Sequence, residues 1–138
     1  NIITENSYIL LISMVPVILT LGTSAGNQAA ATIIAAIRAG RFASGSALAH
    51  LKKEITLGII FSILFGSLVY LIGYVIFDKS EVIPISIGIG LQILISIVLG
   101  SVIPFIVDRL KFNLTLFTVP LFTIIADVIA LLLLFGLF

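Results

Sequence analysis

Apolar residues fill most of this chain in long runs broken by short polar clusters. Tyr8–Leu21 is apolar apart from Ser13, Pro16 and Thr20, and after Gly22-Thr23-Ser24-Ala25-Gly26-Asn27-Gln28 the pattern resumes over Ala29–Ile37 and stops at Arg38. One helix over that whole stretch would be about 45 Å long at 1.5 Å per residue, against a hydrocarbon core of ~30 Å. The first span is therefore expected to tilt strongly or to break at the glycines. Arg38 to Glu54 reads as the one long polar connection, carrying Arg41, Ser44, Gly45, Ser46, His50, Lys52 and Lys53. Ile55–Phe77 is an uncharged second span, Asp78-Lys79-Ser80-Glu81 a polar turn, and Val82–Val107 a third span with Pro84 near its start, where proline is tolerated. Asp108-Arg109-Leu110-Lys111 closes it, and Phe112–Phe138 is the last span. The expected fold is an all-α membrane protein, a polytopic helical bundle with four spans at about 8–37, 55–77, 82–107 and 112–138. Its first span is expected to be broken near Gly22–Gly26. The 138 residues are read as one transmembrane domain without a soluble regulatory domain.

Composition supports the same class: 61% hydrophobic and 9% charged residues, with a mean hydropathy of +1.38, exceed what a soluble domain carries. A net charge of +1 gives no basic face for nucleic acid, and the absence of cysteine removes disulfides and thiolate metal sites. Arg38, Arg41, Lys52, Lys53, Arg109 and Lys111 fall on one side of the membrane and Lys79 alone on the other. By the positive-inside rule the basic loops 38–53 and 109–111 are cytoplasmic, and both termini are external. The segment before Tyr8 holds Glu5 and no base, unlike a secretory signal peptide.

Asp127 is the sharpest chemical feature, an acid near mid-membrane in the last span. Such a residue costs on the order of 2.5–3.5 kcal/mol to insert and marks a functional site by default. A protonated Asp127 bonded to a hydroxyl on a neighbouring helix is the plainer reading. No base lies at its depth, so a compensating cation would come from outside the chain. Leu116, Val119, Pro120, Thr123, Asp127 and Ala130 recur at helical spacing, and Pro120 frees the Leu116 carbonyl. Carbonyl, hydroxyl and carboxylate oxygens suit hard cations such as Mg²⁺ or Ca²⁺. Gly22 and Gly26 form a GxxxG packing surface on the plainer reading. On the functional one they open a broken helix whose Thr20, Thr23, Ser24 and Asn27 offer oxygens to a hydrated ion, with Asn27 and Gln28 buried together. His50 has no second His or Cys beside it, which is poor grounds for a metal site. No nucleophile with a base, carboxylate pair or phosphate loop points to an enzyme.

Pro16 followed by Gly22-Thr23-Ser24-Ala25-Gly26-Asn27-Gln28-Ala29-Ala30, then Lys53-Glu54, Gly100, Pro104-Phe105, and Pro120 with Asp127-Val128, resemble the MgtE family of magnesium channels from about Ser7 onward. The resemblance implies a homodimer of five-span subunits whose pore at the dimer axis is lined by the second and fifth helices. The spans here resemble helices two to five. It further implies Asp127 as the Mg²⁺-binding pore aspartate, Asn27 as a pore polar residue, and Thr20, Thr23, Val119 and Thr123 as pore positions. The family typically has glycines where Thr20 and Thr23 stand, and asparagines in place of Ser24 and Val119, differences that bear on pore width. Its first helix and cytosolic sensor domains have no counterpart here, so a channel of this chain is expected to lack Mg²⁺-dependent closing. The expected function is a Mg²⁺ channel or transporter pore in a bacterial inner membrane, with metal-site residues Asp127, Asn27 and Thr123 and pore-lining Thr20, Thr23, Ser24, Val119 and Pro120. Its expected partners are a second copy, lipid and divalent cations. A proton- or Na⁺-coupled carrier cycling a proton on Asp127, and a structural membrane subunit, are the alternatives.

Overall fold

The computed structural model describes residues 5–42, 45, 47–77 and 79–137, and side chains within 9–136 of these. Four helices follow one another: α1 (Glu5–Arg38), α2 (Ala47–Ile76), α3 (Lys79–Arg109) and α4 (Leu114–Leu137). Each is long and apolar enough to cross a membrane. Every backbone N–H and C=O facing lipid must be satisfied within the segment, and helices meet that demand.

α3 is the central helix and packs against all three others. Its Ile85, Ile89, Ile93 and Ile97 repeat every fourth residue and are buried with Leu11, Ile18 and Leu134. Small residues between them, Ser86, Gly88, Ser96, Gly100 and Ser101, are buried as well and let neighbouring backbones approach. α2 lies at the edge, with Ile63, Leu71, Val75 and Ile76 exposed as a lipid-facing surface.

α1 corrects the expected break, because it runs as one helix of 34 residues straight through Gly22–Gly26. A glycine in a helix costs only ~1 kcal/mol, whereas a break at this depth would strand backbone groups away from water. The glycines serve close packing: a Cβ on Gly100 would lie 2.2 Å from the Gly26 carbonyl oxygen. At about 51 Å for 34 residues, α1 must tilt or project beyond the hydrocarbon core.

The connections carry their own chemistry. After α1, Gly40 at φ 70° donates its N–H to Ile37 O while Arg41 N–H bonds Ala36 O, a Schellman closure. The same pair of bonds recurs after α3, from Lys111 N–H to Asp108 O and Phe112 N–H to Val107 O, with Lys111 at φ 58°. Asn113 Oδ1 then accepts from Thr115 N–H at 3.1 Å and Leu116 N–H at 3.2 Å, capping α4. α2 begins at Ala47, so Lys52, Lys53 and Glu54 stand on a helix and not in a loop. Ala43, Ser44, Ser46 and Asp78 lie outside the described residues. Arg38 donates to Thr115, and Phe42 packs 4.9 Å from Phe105. These contacts gather the basic ends of α1 and α3 and the start of α4 at one end of the bundle.

Candidate functional site

α1 and α4 run antiparallel, and their contact carries most of the residues singled out from the sequence. Thr23 Oγ1 lies 3.4 Å from Asp127 Oδ1, joining the two helices near mid-span. That contact is weak. A hydroxyl has one proton, and Thr23 also lies 2.7 Å from the Leu19 carbonyl, which is the better acceptor. No other hydrogen bond and no ion pair reaches Asp127 among the described residues. The carboxyl is half-buried, with Ala126 and Ala130 turned into the core and Val128 turned out.

Toward the basic end, Asn27 lines a cavity of about 330 Å³ between α1 and α4 with Ala31, Ile34, Arg38, Thr115 and Val119. Its Oδ1 is buried without a hydrogen-bond partner, an orphan acceptor within the packed wall. Thr20 is exposed, and its hydroxyl bonds the Pro16 carbonyl at 2.6 Å. Val119 and Pro120 are exposed and Thr123 is half-buried. Ser24 is carried away from Asp127 to the opposite side of α1, where it lines a groove against α2 with Gln28. The expectation that Asn27 and Gln28 are buried together fails for the same reason: consecutive helical residues differ by about 100°, and Gln28 is exposed.

Gln92 is the residue that sequence reasoning missed. It is 1% exposed at the centre of α3, and its Nε2 donates to Ala126 O at 3.1 Å and lies 3.2 Å from Ser96 Oγ. A Cβ on Gly22 would come 2.8 Å from its Cγ. One carboxamide thus sits against the residues that immediately precede Thr23 and Asp127. The available signal was a lone amide in an otherwise apolar span.

No group of three or more His, Cys, Asp or Glu that could hold a metal ion occurs among the described residues. One carboxylate per chain with neutral oxygens can attract a hydrated cation but cannot strip it. The family model MgtE, described as a divalent cation transporter, matches residues 15–137, which contain Thr20, Thr23, Asn27, Gln92, Thr123 and Asp127. No curated protein matches the chain.

Proposed function

The chain belongs to the MgtE family of divalent cation transporters, and we propose that two copies pair across the α1–α4 contact to form a pore for hydrated Mg²⁺, with Asp127 as its central ion-binding group. The observation that carries this reading is the state of Asp127: a mid-span carboxyl, half-buried, whose nearest donor is already committed to a backbone carbonyl. A two-fold axis beside it brings two carboxylates together, and the resulting −2 charge matches a divalent cation. Mg²⁺ dehydrates reluctantly, so the pair holds it through its waters. Asn27, which lines the cavity toward the basic end, and the half-buried Thr123 continue the polar row along the α1–α4 contact.

Transport then needs only the ion's own gradient and the membrane potential. Moving two charges inward through 100 mV releases about 4.6 kcal/mol, at ~2.3 kcal/mol per charge. The end that gathers Arg38, Arg109 and Lys111 is cytoplasmic by the positive-inside rule, in a bacterial inner membrane.

The test is Mg²⁺ flux into proteoliposomes under an imposed potential, with dimerisation followed by crosslinking. The intact chain conducts, and Asp127→Asn abolishes conduction while remaining dimeric. Equal flux through both chains removes Asp127 from the ion path.

A further inference from the structure

α1 carries a second polar stripe that the proposed pore does not use. Ser24, Gln28 and Thr32 recur at four-residue spacing, all exposed on the side of α1 opposite Asp127. They open into a cavity of about 370 Å³ between α1, α2 and α3, floored by Ile93 and roofed by Phe61. From α2, Glu54 enters the same cavity. Its residue is 9% exposed, and among the described residues no hydrogen bond or ion pair reaches its carboxyl.

The residue is largely buried, yet its carboxylate oxygens stay open to the cavity, and a carboxylate there with no partner in the chain attracts a cation. Lys52 and Lys53 are exposed and do not bond it. The remaining polar groups of the cavity are oxygen-bearing and neutral: two hydroxyls and one carboxamide. Thr32 Oγ1 donates to the Gln28 carbonyl at 3.0 Å, which leaves the hydroxyl lone pairs free to accept. This set suits a hard cation. Six waters fill roughly 180 Å³ at about 30 Å³ each, so a hexahydrated divalent ion fits within the cavity.

We propose that Glu54, with Ser24, Gln28 and Thr32, forms a second divalent-cation site in each chain, on the α2 side of α1 and separate from the site at Asp127. It holds the ion through its waters, with Glu54 as the one charged partner. Occupation draws α1 and α2 together across an otherwise open groove.

The probe is Mn²⁺, counted by its paramagnetic resonance on the full chain in phosphatidylcholine nanodiscs, in the parent, Asp127→Asn, Glu54→Gln and the double variant. Asp127→Asn is expected to keep one Mn²⁺ per chain, and adding Glu54→Gln weakens that remaining binding at least tenfold. Thr32→Val, an exposed position, weakens it about threefold and serves if Glu54→Gln does not fold. Loss of one Mn²⁺ on Glu54→Gln with none lost on Asp127→Asn supports this site and counts against Asp127 as the pore ligand. Mn²⁺ binding in the Asp127→Asn background that is absent, or unchanged by Glu54→Gln and Thr32→Val, overturns the proposal.

Discussion

Replacing Gly100 with alanine is expected to separate α1 from α3 and to unfold the protein at lower denaturant. The added Cβ would stand 2.2 Å from Gly26 O and 2.9 Å from Gly26 C, with backbone on both sides of the contact. Ordinary contacts between carbon atoms lie near 3.5–4.0 Å, so the helices must part by about 1 Å or more. A carbonyl inside a helix cannot rotate aside as a side chain can. Overpacking of this kind costs about 1–3 kcal/mol, against a gain of ~1 kcal/mol from the better helix former. We therefore expect a net loss of about 1 kcal/mol, and up to about 2 kcal/mol because the clash is with backbone. Gly26→Ala meets Phe122 Cζ at 2.0 Å and Ser96 O at 2.6 Å, and because Phe122 is fully buried it has little room to yield. Gly66→Ala reaches Ser86 O only at 3.3 Å, and Gly136→Ala meets nothing within 4 Å. The expected order of destabilisation is Gly100→Ala and Gly26→Ala, then Gly66→Ala, then Gly136→Ala at zero or below. Far-UV circular dichroism during titration of dodecyl maltoside micelles with dodecyl sulfate reads the order directly. If Gly100→Ala unfolds at the same dodecyl sulfate fraction as the parent or as Gly136→Ala, the close α1–α3 seam is not the feature holding the bundle.

Two further outcomes follow from individual contacts. Gln92→Leu removes the donor to Ala126 O, an interhelical bond worth ~0.6 kcal/mol within a membrane, and should lower Mg²⁺ flux several-fold with little change in unfolding; unchanged flux would leave Gln92 a packing residue only. Arg38→Gln removes a positive charge from the cavity shared with Asn27. For a divalent ion about 10 Å away in water that charge is worth ~0.8 kcal/mol, so flux should rise about fourfold at low salt and return to the parent value near 1 M, where the Debye length is ~3 Å.

The four spans, their order and the isolation of Asp127 were legible because each rests on a one-dimensional signal: an uninterrupted apolar run, a cluster of charge, a single acid in between. Helix ends were less so. Ala47–Lys53 carries His50, Lys52 and Lys53 yet is helical, since Ala, Leu and Lys are strong helix formers and an interface does not penalise the lysine charges. Gln92 escaped notice for a different reason. It has no charge and no motif, and its role depends on two helices that approach α3 from different sides.

The Gly22–Gln28 run explains why reading a helix as a list of polar residues misleads. Five polar side chains between Thr20 and Gln28 suggested one broken, hydrated element. An unbroken helix instead deals them out by angle: Thr23 and Asn27 toward α4, Ser24 and Gln28 toward α2, with Gly22 and Gly26 against α3. The glycines make that division possible, because only residues without a Cβ let α1 sit close enough to α3 for both of its flanks to face helices that carry a carboxyl. Asp127 and Glu54 thereby face opposite sides of a single helix.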